Sequence, residues 1–521
     1  VLTRHVIQTS VAFSWISLGL AAGALADDHL AKKESSRPNI VFIVADDLGW
    51  RDLGCYGSKS YETPHLDRLA SEGVRFTDAY ASCPVCSPSR AALMTGKNPS
   101  RLGITAHIGD AGPKHWNRDT PLLPASYRDH LPHSELTLAE VLHDAGYATM
   151  HAGKWHLGSE PYWPEYHGFD VNAGGWAQGG PFGGKQYFSP YANPRLPDGP
   201  EGEYLPERLA TEVDHFIKSH RHEPFFVHLA WYSVHIPLVA PQHLEDKYKQ
   251  RFDATGDKVG EMRVTIDGTE RVRQDHATYA AMVESMDAAV GRVLESLKQA
   301  GVDGKTIVVF TSDNGGLSTG ERGGWESQGW PTTNSPLRGG KGWLYEGGIR
   351  VPLIVRAPGV TPSGGESNRI VMGSDYYSTL LKLTGVDSPE GQAIDSESFT
   401  GALAGSPEQR GPVIWHYPHY GNQGGRPGAA IREGDWKLIE WYAASPADSK
   451  VELFNLAQDL GEQQDLSQTY PERCRSLLEK LRGWRGDLQV AMPTPRTSPV
   501  ARRIDTPRAA KAPNDEEARS R

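Results

Sequence analysis

The sequence predicts an α/β fold: a large mixed, mostly parallel sheet sandwiched by helices, then a small C-terminal antiparallel α+β subdomain. Two observations carry the larger part. Residues 39–45, 225–230 and 306–311 are apolar runs of strand length, the pattern of strands covered on both faces. Amphipathic helical stretches lie between them, at 205–218 and 276–300. A third observation carries the subdomain: from Val413 the pattern changes to short strands at 413–417, 429–432, 436–441 and 452–455, closed by a helix at 471–488.

Taken in order, the chain opens on Arg4 and His5, an apolar run over 11–24, and Ala24-Leu25-Ala26 before Asp27-Asp28. That is the layout of a cleaved export signal, so residues 1–26 are expected to be a leader and 27–38 a polar spacer. The apolar run is short for a membrane span, which needs about 20 residues. The strand 39–45 ends in Asp46-Asp47-Leu48-Gly49. Open α/β sheets hold their ligands at such carboxyl ends, and two adjacent acids there repel unless a cation lies between them. A helix from Thr63 to Gly73 and a strand at 74–80 lead to Cys83-Pro84-Val85-Cys86-Ser87-Pro88-Ser89-Arg90, which runs into an apolar helix ending near Gly96.

A helix at 137–145 and a strand at 147–151 precede Gly153-Lys154-Trp155-His156-Leu157-Gly158. In an extended chain Lys154 and His156 point to one side. Residues 162–203, rich in Gly, Pro and aromatics, read as a long surface loop. The strand 225–230 places His235 just past its end, and the strand 306–311 is followed by Asp313-Asn314. Lys341 sits among glycines in Leu337-Arg338-Gly339-Gly340-Lys341-Gly342, where backbone can approach a ligand closely. A strand at 352–356 and a helix at 376–383 complete a catalytic domain expected to span 39–412. The subdomain takes 413–490. Residues 491–521, rich in Pro, Ala and charge, are expected to be a disordered tail.

Composition narrows the function classes. A charge of −10 argues against a general nucleic-acid binder. With only Cys55, Cys83, Cys86 and Cys474 the chain is not a disulfide scaffold, although one bridge is possible outside the cytosol. Cys86 itself has three readings: a nucleophile at a helix N-terminus beside the cation Arg90, half of a Cys83/Cys86 redox pair, or part of an ordinary helix-starting turn.

The two motifs Cys86-Ser87-Pro88-Ser89-Arg90 and Gly153-Lys154-Trp155-His156-Leu157-Gly158, with the strand-end acids around them, resemble the type I sulfatases of the alkaline-phosphatase-like superfamily. The resemblance runs from about residue 39 to 488 and disfavours the redox pair. It implies that a maturation enzyme converts Cys86 to formylglycine, whose aldehyde hydrates to a diol. Asp46, Asp47, Asp313 and Asn314, with the modified Cys86, would hold one calcium ion, with magnesium as the alternative. Arg90 would hold the diol, Lys154 and Lys341 would grip the sulfate, and His235 would protonate the leaving oxygen. One diol oxygen would attack sulfur; His156 would then take the proton of the other, expelling sulfate by C–O cleavage.

Export and aromatic loops favour a sulfated sugar or polysaccharide fragment as substrate. The segment Trp415 to Arg426 is similar to segments of bacterial carbohydrate sulfatases acting on galactose- or N-acetylgalactosamine-type sugars. It nominates His416, His419, Asn422 and Arg426, with His107, Asp110, His115 and Trp116, as substrate contacts. Packing within the subdomain is the competing explanation of that segment. The expectation is therefore an exported, periplasmic or secreted hydrolase with no membrane span and no nucleic-acid partner. The alternatives are a phosphatase or phosphodiesterase of the same superfamily and a non-catalytic glycan-binding protein.

Overall fold

The computed structural model describes residues 37–265, 268–320 and 330–497; the expected leader lies outside them. The large sheet has eight strands: β1 (Asn39–Ala45), β2 (Val74–Phe76), β3 (Ala148–Gly153), β4 (Val171–Ala173), β5 (Phe225–Ala230), β6 (Thr306–Ser312), β7 (Leu353–Arg356) and β8 (Gly365–Ser367). Their order is β8-β2-β7-β6-β1-β5-β3-β4, and only β7 runs antiparallel to its neighbours.

β1 shows why an unbroken apolar run was needed. All seven of its residues are buried; Val41, Ile43 and Ala45 join one core layer while Ile40, Phe42 and Val44 join the other. Each such large side chain contributes about 1.5–3 kcal/mol when fully buried. Helices α1 (Pro64–Glu72), α2 (Cys86–Thr95), α3 (Leu138–Asp144), α4 (Leu205–Ser219), α5 (Ala277–Gln299) and α6 (Asp375–Thr384) cover the two faces. α1, α4 and α5 lie in the first layer, and α2, α3 and α6 in the second. Thr137 starts α3 with a capping box: its hydroxyl accepts from Glu140 N and the Glu140 carboxylate accepts from Thr137 N.

The C-terminal strands β9 (Val413–Tyr417), β10 (Gly428–Glu433), β11 (Trp436–Trp441) and β12 (Lys450–Asn455) pair antiparallel in chain order. One face of this sheet buries Ala429, Ile431, Leu438 and Leu453 under Leu477 and Leu481 of helix α7 (Pro471–Leu488). The other face packs Trp415, Tyr417, Ile439 and Trp441 against Tyr80, Cys83 and Val85. Trp415 Nε1 donates to the Ala81 carbonyl at 2.8 Å, so the small sheet braces the segment that leads into Cys86.

Several expectations need correction. The stretch 162–203 is not a surface loop: it contributes β4, and Tyr187, Tyr191 and Leu196 are buried in the main core. The strand expected at 74–80 breaks after Phe76, because Ala79–Tyr80 leaves the large sheet to pair with Val371–Met372. The helix Gln242–Asp253 and the hairpin Met262–Thr265/Gly268–Arg271 were not foreseen. The tail is ordered as far as it is described: Thr494–Pro495 pairs with Leu122–Leu123, and Arg496 N donates to the Pro121 carbonyl at 3.0 Å. The remainder of the expected tail lies outside the described residues. All four cysteines are free, and no helix among the described residues is long and apolar enough to cross a membrane.

Candidate active site

The carboxyl ends of four parallel strands meet here. Asp46-Asp47 follow β1 and Asp313-Asn314 follow β6; Asp313 N donates to the Ala45 carbonyl at 3.1 Å, which sets the two pairs side by side. Lys154 follows β3. Gly153 has φ 97°, and a Cβ there would strike the Ala230 carbonyl, the same oxygen that accepts from Lys154 N at 2.7 Å. His235 lies just past β5. Asp47 (φ 62°) and His156 (φ 58°) are both non-glycine residues in the left-handed region, a strain that concentrates at functional sites.

Cys86 opens α2, whose ten residues are all buried. One turn on, Arg90 Nε donates to Asp313 Oδ2 at 2.8 Å and Nη1 to the Lys154 carbonyl at 2.9 Å. Lys154 Nζ donates to Asp46 Oδ2, and Lys341 Nζ to Asp47 Oδ2, each at 2.7 Å. Lys341 Nζ also lies 3.0 Å from His235 Nε2, while His235 Nδ1 is 2.6 Å from the Ile236 carbonyl. The carbonyl takes the Nδ1 proton, so Nε2 accepts from the lysine. His156 Nδ1 faces Cys86 Sγ at 3.5 Å and Ser87 Oγ at 3.2 Å, with Nε2 3.1 Å from the Ile108 carbonyl.

Electrostatics divide these groups. Burial, with Asp313 and Asp47 alongside, pushes Asp46 well above the carboxylate range despite Lys154. Burial also opposes ionisation of Asp47, but Lys341 and His235 outweigh it and hold that carboxyl low. Burial and then Lys341 lower His235 to about 3, and burial lowers His156 to about 4, so both rings are neutral. Burial would raise the Cys86 thiol; Lys154, His107 and His156 overcome it and hold the thiol well below its usual value.

The donor set fits a hard divalent cation. Asn314 Nδ2 donates to Asp47 Oδ1 at 2.8 Å, and Asn314 Oδ1 and Asp46 Oδ1 are left buried with no hydrogen-bond partner. Ligand atoms of Asp46, Cys86 and Asp313 lie within 4.8 Å of one another. Orphaned oxygens in a dry site are costly unless something positive meets them, and oxygen-only ligation suits calcium or magnesium.

The comparisons decide the family. A model described as Sulfatase matches residues 38–386, and one described as N-sulphoglucosamine sulphohydrolase, C-terminal, matches 340–485. The chain belongs to the sulfatase family. It is thus a sulfuric ester hydrolase with an alkaline-phosphatase-like fold. A sulfatase from Formosa agariphila is 32% identical, covering 89% of this chain and 92% of the relative. An N-acetylgalactosamine-6-sulfatase from Sus scrofa is 34% identical over 73% of this chain and 68% of its own length. Among solved structures, Ps i-CgsB in complex with k-i-k-neocarrahexaose superposes with a TM-score of 0.69 at 29% identity, covering 87% of this chain and 94% of the other.

In this sulfatase the nominated substrate residues fall into three groups. His107 joins the centre: one of its ring nitrogens lies within 4.8 Å of Cys86 Sγ, and its ring meets that of His156 edge-on at 4.6 Å. Its neighbour Asp110 lies 3.6 Å from His107 Nδ1. A second group forms a connected wall. Trp116 stacks on Tyr420 at 5.7 Å, and Arg118 donates to the Tyr420 carbonyl at 2.9 Å. The loop bearing Asn422 closes on the lysine loop, since a Cβ on Gly425 would strike the Gly342 carbonyl, one residue from Lys341. His115 and Arg426 are exposed nearby in sequence, Arg426 resting on the Trp441 ring. The third group is internal. His416 bonds Tyr442 Oη and the Ala491 carbonyl, and His419 bonds Thr105 Oγ1 at 2.9 Å.

Sequence reasoning missed Ser87, whose hydroxyl joins His156 to Ile108 N. It missed Tyr187, which donates to the Tyr232 and His235 carbonyls at 2.7 and 2.9 Å. It also missed Gly179, whose Cβ would sit 2.6 Å from the His156 ring. The Gly179-Gly180 pair inside an aromatic stretch was the available signal for that close approach.

Proposed function

We propose that this sulfatase removes sulfate from a galactose- or N-acetylgalactosamine-type carbohydrate outside the cytoplasm, using formylglycine formed from Cys86 and one calcium ion. The observation that carries the substrate class is the wall of Trp116, Tyr420 and the loop 421–425, packed through Gly425 onto Gly342 beside Lys341. An aromatic face and a polar loop next to a buried lysine suit a sugar ring carrying an anionic substituent. The relative named for N-acetylgalactosamine-6-sulfate and the neighbour holding a carrageenan-type oligosaccharide lend the same class support.

The roles follow from the side chains. Asp46, Asp47, Asp313 and Asn314 would hold calcium, which would supply positive charge for an anionic ester. Formylglycine at position 86, as its hydrate, would supply a nucleophilic hydroxyl for sulfur and a second hydroxyl open to deprotonation. With the acids engaged by a cation, Lys154 and Lys341 turn from Asp46 and Asp47 to the ester oxygens. Arg90, held by Asp313 and the Lys154 carbonyl, keeps a fixed positive charge one helical turn from residue 86. His156 keeps its Nε2 proton on the Ile108 carbonyl and presents Nδ1 to residue 86 as the proton acceptor. An anionic ester cancels the Lys341 charge that depresses His235, so the ring gains a proton to hand to the departing alcohol.

The test is a panel of position-defined sulfated monosaccharides and short oligosaccharides, given to chain produced with a formylglycine-generating enzyme. Turnover of galactose- and N-acetylgalactosamine-type sulfates is expected. Turnover confined to glucosamine or steroid sulfates overturns the substrate class.

A further inference from the structure

The chain as translated, with a thiol at position 86, offers a second and chemically different metal site. Cys86 Sγ and ring nitrogens of His107 and His156 all lie within 4.8 Å of one another. Such sulfur and imidazole donors suit zinc, whereas the four strand-end oxygens suit calcium or magnesium.

His156 already has the outer partner that zinc-bound imidazoles use. His156 Nε2 lies 3.1 Å from the Ile108 carbonyl, which fixes its proton there and leaves the Nδ1 lone pair on Cys86, 3.5 Å away. His107 Nδ1 is buried with no hydrogen-bond partner, the Asp110 carboxylate standing off at 3.6 Å, so this ring nitrogen is unsatisfied beside Cys86 and His156. The two rings meet at 66° with centroids 4.6 Å apart, so neither stacks over the other's nitrogens. Cys86 and His156 are buried and His107 is partly exposed, so an ion enters past His107 and keeps a fourth position for water.

We propose that the unconverted chain binds a zinc ion through Cys86, His107 and His156, with the Ile108 carbonyl orienting the His156 ring. The proposal concerns the thiol form and stands whether or not the sugar class above is right. A zinc-filled thiol is no longer a free substrate for oxidation, so the site also separates precursor from mature protein chemically.

Cobalt is the probe, added to the full-length chain with the Cys86 thiol verified by intact mass, in buffer containing excess calcium. A thiolate-to-cobalt charge-transfer band in the near ultraviolet is expected, displaced by zinc, with a single zinc retained per chain after dialysis. Cys86→Ser abolishes the band, and His107→Ala weakens zinc binding. Circular dichroism of each variant confirms that it is folded, and the formylglycine form gives no band. Cobalt binding without the band, loss of zinc when calcium is added, or unchanged zinc affinity in folded His107→Ala each overturns the proposal.

Discussion

Asn314 gives its amide to Asp47 Oδ1 at 2.8 Å and to the Gly315 carbonyl at 3.0 Å, and its own carbonyl oxygen is left buried and unpartnered. The orphan makes Asn314 the sharpest handle on the cation. Asn314→Leu removes one oxygen donor and leaves the carboxylates in place, so calcium affinity is expected to fall and activity with it. Calcium at a hundredfold over its Kd is expected to stabilise the parent by about 2.7 kcal/mol. Melting curves in EDTA and in calcium, with metal analysis, check both. Finding two zinc ions per chain instead would favour a phosphatase.

His235 accepts from Lys341 at Nε2 and donates its single N–H, on Nδ1, to the Ile236 carbonyl. A general acid matters most when the leaving group is a poor one. His235→Gln is expected to lower turnover of a sugar sulfate by about a hundred- to ten-thousand-fold, and that of a nitrophenyl sulfate far less. Equal losses on both substrates would remove His235 from that role.

Lys341→Ala should cost about a hundred- to a thousand-fold in kcat/KM, the scale of deleting one preorganised charge. It also removes the cation that, after burial, depresses His235. The pH limb that reports His235 is therefore expected to move to higher pH in the variant, and a pH–rate profile reads the shift.

His151 is buried between Trp155, Phe169 and His228, and burial holds it at about 3. Its ordinary value is about 6.5, so below that pH the unfolded chain takes a proton that the folded chain refuses. The stability tied to this ring is complete above about pH 6.5 and is lost, at about 1.4 kcal/mol per pH unit, as pH falls toward 3. Asp287, raised to about 7 by burial, acts in the opposite sense, but it is the same in parent and variant. Urea titrations of parent and His151→Gln between pH 7 and 5 should differ in slope by that amount.

The fold was legible where the pattern was strong. The runs that became β5, β9, β11 and α7 end where the sequence puts them, because apolar continuity or a proline in the first helical turn marks the edge. The helix Gln242–Asp253 escaped because its apolar stripe is one residue wide, the partly buried Leu244 with Tyr248 and Phe252, among charged and polar neighbours. The strand-end acids were legible because parallel strands all finish on one edge. Ser87 and Tyr187 were not, since what makes them matter is a partner 69 or 48 residues away. His416 shows the converse: a residue in a suggestive segment is held instead by Tyr442 and the Ala491 carbonyl.

The small sheet closes over the segment that leads into α2, with Trp415 bonded to the Ala81 carbonyl and Cys86 left with no exposed surface. The strand that carries this tryptophan begins only at Val413, far downstream. Any enzyme that is to act on Cys86 therefore works against a clock set by synthesis itself: its window opens when the motif emerges and shuts when the strands that begin at Val413 arrive and dock.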